Sequence, residues 1–135
     1  MTQDMLTGEL TPEMLLSLAT FADSHQAYQL DEDKIADLSE LTQDTEIVTL
    51  VGTWCPDCYR EVPRLIKILA SLNSPHISTR YIGLDRDKRD KQGLGAKFEF
   101  SRIPTIIIMQ NNQEVGRIVE RPNTSLEQAL LDILF

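Results

Sequence analysis

A pair of cysteines separated by two residues offers the clearest chemical potential in this sequence. The pair lies in the segment Trp54-Cys55-Pro56-Asp57-Cys58. A thiolate attacks disulfides, and a second thiol nearly one helical turn further along can reach back to resolve the mixed disulfide that forms. The same thiols can bind zinc, but they supply only two of its usual four ligands, so a second chain would have to supply the rest. The spacing predicts dithiol redox chemistry, with a shared metal site as the alternative.

A buried strand and a helix are predicted on either side of the cysteines. Residues 47–51 form a β-branched run bounded by a glycine, which indicates a buried parallel strand. Apolar residues at helical spacing over residues 62–69 indicate the helix that follows. Helix amides and the macrodipole favour an anion at the start of a helix. We therefore expect Cys55 to be the attacking thiolate and Cys58 to be the resolving thiol.

The residues beside the cysteines shape the predicted site. Pro56 suits the first helical position, where its missing amide hydrogen costs little and its fixed φ stiffens the loop. The Asp57 carboxylate opposes a nearby thiolate, whereas Arg60 on the next turn is placed to offset that effect in part. Trp54 abuts the cysteine pair and is interpreted as a lid over the site, with packing as the alternative. A buried indole would need a polar partner.

Helical and strand patterns alternate along the rest of the chain. Two amphipathic helices are predicted in the first part, one starting at Thr11-Pro12 and one at Asp31. Further strands are predicted over residues 77–84, 103–109 and 114–119, and a closing helix from residue 126 onwards. The alternating charges of residues 85–91 are interpreted as the solvated surface of a helix. This order predicts an α/β protein with a mixed sheet and helices packed against it.

Three features together resemble the thioredoxin family. They are the Trp-Cys-x-x-Cys motif after a strand, Pro63 five residues beyond Cys58, and the segment Ile103-Pro104-Thr105 before an apolar strand. The resemblance implies a cis peptide bond between Ile103 and Pro104. It also implies that Pro104 lies against the dithiol and binds the substrate backbone.

The resemblance covers residues 46–135 and implies a thioredoxin-like α/β fold, with a mixed central sheet of about four strands flanked by helices. Residues 1–45 depart from the family pattern, because two helices are predicted where a first β-α unit is expected. We therefore expect one structural domain, in which residues 1–45 are an N-terminal helical extension packed on a thioredoxin-like domain of residues 46–135. The substrate-binding surface is expected to comprise Trp54, Pro56, Asp57, Ile103 and Pro104.

Three positions depart from the family pattern within the resembling region. Thr49 replaces the buried acid that lies six residues before the first cysteine and serves as a proton acceptor in typical thioredoxins. Tyr81 stands where the lysine partner of that acid would be, and Glu120 replaces a glycine of the substrate groove. These replacements bear on substrate choice and on the rate of proton transfer.

Composition excludes several other classes of function. The 135 residues are 41% hydrophobic and carry a net charge of −8, typical of a folded, water-soluble domain. Such a charge disfavours binding to nucleic acid or to anionic membranes, which requires clustered basic residues. The N-terminus lacks the basic and apolar regions of a signal peptide, so a cytoplasmic location is expected. No cofactor is expected beyond the two thiols.

These observations favour a cytoplasmic thiol-disulfide oxidoreductase that reduces protein or small-molecule disulfides and is recycled by a thioredoxin-reductase-type reductant. A glutathione-linked reductase is less favoured, because residues 119–122 lack the glycine pair of glutaredoxins. The alternative from another class is a non-enzymatic binding module or redox sensor with the same fold. The replaced groove and proton-acceptor residues favour that alternative, and turnover of a generic disulfide would count against it.

Overall fold

A computed structural model describes residues 5–135, and within them it contains five strands and five α-helices. In chain order these elements are β1 (Gly8–Leu10), α1 (Pro12–Leu16), α2 (Ala19–Ala27), α3 (Glu32–Leu38), β2 (Thr45–Val51), α4 (Pro56–Leu72), β3 (Ile77–Gly83), β4 (Thr105–Gln110), β5 (Gln113–Val119) and α5 (Leu126–Leu134). A 3₁₀ turn at Gly95–Phe98 lies between β3 and β4.

The five strands form one mixed sheet in the order β1-β3-β2-β4-β5. The central strand β2 runs parallel to β3 and antiparallel to β4, while β1 and β5 pair antiparallel at the two edges. This confirms the predicted α/β fold with a mixed sheet. The sheet has one strand more than the sequence predicts, because β1 spans three residues and is too short for an alternating pattern to be recognised.

Side-chain caps define the helices of the N-terminal part. The Thr11 hydroxyl accepts a hydrogen bond from the Met14 amide at 3.1 Å, and the Asp31 carboxylate accepts one from the Lys34 amide at 3.3 Å. Both predicted helix starts are therefore present. The first predicted helix is divided in two, since α1 ends at Leu16 and α2 begins at Ala19.

The segment after β3 is a series of turns where the sequence predicts a helical surface over residues 85–91. That prediction is wrong, because aspartates in the segment hold the backbone in turns. The Asp85 carboxylate accepts hydrogen bonds from the amides of Asp87 and Arg89 at 2.9 and 3.0 Å. Asp90 does the same for two amides further along. Aspartate side chains that bind nearby amides compete with helix formation in this way.

The core lies between the sheet and the helices. Every residue of β2 except Glu46 is buried, as expected for a central strand covered on both faces. Helix α4 packs against α2, and α3 packs against α5, so the N-terminal helices are part of the same core. Within residues 5–135, none of the helices has the length and apolar character that a membrane crossing requires.

Four loops meet along the edge of the sheet that is formed by the ends of its strands and not by an outer strand. The parallel strands β2 and β3 both end there, β4 begins there, and β5 ends there. The Leu84 amide, just after β3, donates to the Val51 carbonyl at 2.8 Å and ties two of these loops together. The loop between β2 and α4 carries the cysteine pair, so this edge positions the candidate site.

Candidate functional site

Cys55 occupies the N-cap position of α4. Its backbone is extended, with φ of −93° and ψ of 123°, and its carbonyl accepts the amides of Cys58 and Tyr59 at 3.0 and 3.1 Å. The helix therefore begins at Pro56, as predicted, and the Cys55 side chain lies at its positive end. Cys55 is half-buried, whereas Cys58 is fully buried, and both are free thiols.

The Cys58 thiol is enclosed and held by a backbone amide. The Gly52 amide donates to its Sγ at 3.3 Å. Burial raises the pKa of the Cys58 thiol, and the neighbouring Cys55 adds to this rise, although the Gly52 hydrogen bond acts in the opposite direction. Cys58 is therefore a protonated, inaccessible thiol, while Cys55 lies where an incoming disulfide can reach it. This arrangement suits attack by Cys55 and resolution by Cys58.

The spacer carboxylate has a local counter-charge. The Arg60 guanidinium makes an ion pair with Asp57 at 2.9 Å, and its Nε lies 2.7 Å from the Glu61 carboxylate. Glu61 is itself only 1% exposed. Arg60 thus bridges Asp57 in the first turn of α4 and Glu61 on the buried side of the same helix. The negative charge that Asp57 would otherwise present to a thiolate is partly offset.

Trp54 packs over the loop that carries the cysteines. Its indole Nε1 donates to the Leu84 carbonyl at 3.0 Å, which supplies the polar partner that a buried indole needs. The Arg86 guanidinium lies over the ring, 5.3 Å from its centre. A Cβ on Gly52 would lie 2.7 Å from the ring, so only glycine leaves room for the indole there. Trp54 is half-buried beside Cys55.

The segment before β4 forms the next wall of the site. The peptide bond between Ile103 and Pro104 is cis. The Ile103 side chain approaches the place of a Gly52 Cβ within 2.9 Å, so this segment packs against the dithiol loop. The Pro104 carbonyl accepts the Glu120 amide at 2.7 Å, which joins the end of β5 to the same wall.

Glu120 takes an unusual backbone conformation beside this wall. Its φ is +58°, a region that L-residues rarely adopt. Its carboxylate makes an ion pair with Arg102 at 3.3 Å. The replacement of a glycine by Glu120 therefore keeps the backbone conformation that glycine permits and adds a charged pair next to Pro104.

Two hydroxyl groups stand where the family resemblance implies a buried acid and its lysine partner. Thr49 and Tyr81 are paired on neighbouring strands, and both are buried. The Thr49 hydroxyl has no hydrogen-bond partner within residues 5–135, which is costly for a buried polar group. Burial also raises the pKa of Tyr81. Neither side chain supplies a carboxylate that could accept the Cys58 proton.

The structure brings the sequence-predicted site residues to one edge of the sheet. Three contributors were not predicted: the Gly52 amide, the Leu84 carbonyl and the Arg86 guanidinium. The glycine directly after a predicted strand and six residues before Cys58 was an available signal. The sequence offers no such signal for Arg86, because its contact with Trp54 depends on how the turns after β3 fold.

The chain is similar in sequence to thioredoxins. A family model described as thioredoxin matches residues 12–131, and so begins well before residue 46, where the motif resemblance starts. Mitochondrial thioredoxin-3 of Saccharomyces cerevisiae is 23% identical over 114 residues, which are 78% of this chain and 85% of the yeast protein.

Solved structures share the fold. A Pseudomonas aeruginosa protein of unknown function superposes with a TM-score of 0.61 at 22% identity, over 91% of this chain and 86% of the other. Trxlp from Edwardsiella tarda superposes with a TM-score of 0.54 at 22% identity, over 78% of this chain and 94% of that protein. At this level of identity, the likeness shows a shared fold.

Proposed function

Because this chain belongs to the thioredoxin family of redox proteins, we propose that it is a thiol-disulfide oxidoreductase that reduces protein disulfides through Cys55 and Cys58. The observation that carries the proposal is the contrast between the two thiols. Cys55 caps a helix at the rim of the site, and Cys58 lies fully buried one turn along, under the Gly52 amide. This contrast separates an accessible nucleophile from a resolving thiol.

The reaction proceeds in two exchanges. The Cys55 thiolate attacks one sulfur of the substrate disulfide, forming a mixed disulfide and releasing the first substrate thiolate. Cys58 then loses its proton and attacks the Cys55 sulfur, which breaks the mixed disulfide and releases the second substrate thiolate. The substrate gains two electrons, and the protein is left with a Cys55–Cys58 disulfide. A dithiol reductant of the thioredoxin-reductase type must return those electrons before the next cycle.

The walls of the site orient the substrate in this proposal. Trp54, Pro56 and Asp57 lie on the cysteine side, while Ile103 and Pro104 lie opposite, in the segment just before β4. The substrate backbone lies along Pro104, which holds its disulfide in line with the Cys55 sulfur. A cytoplasmic location completes the proposal, since thiol reductants keep a dithiol of this kind reduced there.

The first test is the reduction potential of the Cys55–Cys58 couple, measured by equilibration in defined thiol-disulfide buffers. We expect a value near the −270 mV or so of thioredoxin, whereas a value near about −120 mV would indicate an oxidant. Failure to form the intramolecular disulfide would refute the dithiol mechanism. Reduction of insulin disulfides should accompany the low potential.

Variants assign the two steps. Cys55→Ser should abolish insulin reduction, because the attacking thiolate is gone. Cys58→Ser should retain the first exchange and accumulate a mixed disulfide with the substrate, which mass spectrometry detects. Ser71→Ala, an exposed position on the last turn of α4, serves as the matched control and should behave like the wild type. Equal activity of Cys55→Ser and the control would refute the assignment.

A redox sensor or binding module is the second candidate, and the unpaired Thr49 hydroxyl and the Glu120 replacement favour it. In that case the dithiol would switch between states without turning over a substrate. Multiple turnovers on insulin with an excess of reductant would eliminate this candidate. A single oxidation that releases a bound partner, with no turnover, would support it.

A further inference from the structure

Three exposed arginines lie in different loops that meet at the edge of the sheet carrying the dithiol, and together they are named here the basic rim. Arg86 follows β3, Arg102 precedes β4, and Arg121 follows β5. Arg86 lies over the Trp54 ring, next to the attacking cysteine. The rim is built from loops that the sheet topology brings to one edge, although its arginines are far apart in sequence.

Arg102 is highly exposed although it makes an ion pair. Its side chain is 69% exposed, and its pair with Glu120 leaves most of the guanidinium free for another partner. It also borders an open hollow of about 350 Å³, whose other walls include Phe100 and Val119. A partner segment lying along Pro104 would pass beside this guanidinium and this hollow.

The segment that carries Arg86 and Arg102 of the basic rim contrasts in charge with the whole protein. Residues 84–104 carry six basic and four acidic side chains, a net charge of +2, in a chain whose total is −8. The remainder of the chain therefore carries −10. Two of the four acids, Asp85 and Asp90, have their carboxylates directed to amides within the loop. All six basic side chains of the segment are exposed, against two of its acids, Asp87 and Glu99.

We propose that the basic rim recognises partner proteins whose reducible disulfide is flanked by acidic residues, an inference that rests on the proposed function. A basic partner would be attracted to the acidic remainder of the molecule and away from the dithiol. An acidic partner is repelled there and attracted at the one edge where Cys55 is accessible. Such complementarity orients encounters and raises association rates more than it raises affinity.

Three cyclic peptides test this proposal. They share one sequence with a single disulfide and differ only in whether aspartate, asparagine or lysine flanks each cysteine. We expect the wild-type kcat/KM to be about tenfold higher for the aspartate peptide than for the lysine peptide at low salt. In about 0.5 M sodium chloride, where the screening length falls to about 4 Å, the ratio should approach one.

Two double variants test whether the preference for the aspartate peptide depends on the basic rim or on net charge alone. Arg86→Gln with Arg102→Gln removes two charges of the basic rim and should bring the aspartate-to-lysine ratio close to one at low salt. Lys34→Gln with Arg80→Gln changes the net charge equally at sites on α3 and β3 and should preserve the ratio. A ratio that falls equally in both double variants would overturn the proposal, because net charge alone would then explain it.

The outcomes separate the two proposals. If the wild-type protein reduces all three peptides at equal rates, the proposed function stands and the basic rim does not select partners. If it prefers the lysine peptide, the sign of the recognition is wrong. If it reduces none of them and does not reduce insulin either, the proposed function fails and this inference falls with it.

Discussion

Raising the pH above about 8.5 should destabilise the reduced protein, because folding buries the Cys58 thiol. An exposed thiol in the unfolded chain ionises near pH 8.5, roughly. In the folded protein Cys58 is fully buried, and burial raises its pKa well above that value. The folded state therefore binds this proton more tightly than the unfolded state. The corresponding stabilisation is complete below about pH 8.5 and is lost as the pH rises towards the folded pKa.

The size of this effect follows from linkage. One group that titrates only in the unfolded chain lowers the free energy of unfolding by about 1.2 kcal/mol between pH 8 and pH 9.5. The assay is urea unfolding with an excess of reductant, followed by the fluorescence of Trp54, the single tryptophan of the chain. The range stops at pH 9.5 because tyrosine side chains in the unfolded chain begin to ionise near pH 10 or so. Tyr81, which is buried in the folded protein, is one of them.

Cys58→Ser isolates the contribution of this thiol. A serine hydroxyl does not titrate in this range, and its oxygen can still accept the Gly52 amide. All other ionising groups, Cys55 among them, remain in both proteins. From pH 8 to pH 9.5, the free energy of unfolding of the wild type should therefore fall by about 1.2 kcal/mol relative to that of the variant. Parallel curves over this range would refute the claim that Cys58 is buried and protonated.

Three substitutions test other parts of the structure by urea unfolding at pH 7. Gly52→Ala should cost about 1–3 kcal/mol and shift the Trp54 fluorescence, because the new Cβ would lie 2.7 Å from the indole; an unchanged spectrum would contradict this packing. Glu127→Gln should cost about 1–3 kcal/mol, since the buried carboxylate accepts both the Tyr28 hydroxyl and a backbone amide and an amide side chain offers only one acceptor oxygen; a neutral result would show that these bonds contribute little. Thr49→Val should stabilise the protein by about 1 kcal/mol, as it removes an unpaired buried hydroxyl, and a loss of stability would mean that the hydroxyl has a partner.

The local chemistry of the site is largely readable from the sequence. The β-branched run before the cysteines, Pro56 at the first helical position and the apolar face of α4 each act within a few residues. The strand, the helix start and the N-cap position of Cys55 follow from those local preferences. Asp57 and Arg60 are three residues apart on one helix, so their ion pair is also a local feature.

Contacts between distant segments could not be predicted in the same way. The antiparallel pairing of β1 with β3 depends on three residues whose hydrogen bonds are completed by a strand about 70 positions away. The turns after β3 depend on Asp85 and Asp90 binding loop amides in preference to continuing a helix. Because Arg86 lies in those turns, its position over Trp54 was unpredictable as well.

The proton of Cys58 links the departures of this chain to its mechanism. Resolution requires Cys58 to lose a proton, yet burial raises its pKa, and the Gly52 amide that donates to its sulfur cannot accept that proton. At the position where typical thioredoxins have a buried acid, this chain has Thr49, whose hydroxyl is a poor proton acceptor. The first exchange at Cys55 needs no such acceptor, because that thiol lies at the positive end of α4. The proposed mechanism therefore makes resolution the slower exchange, so the mixed disulfide between Cys55 and the substrate persists before Cys58 breaks it.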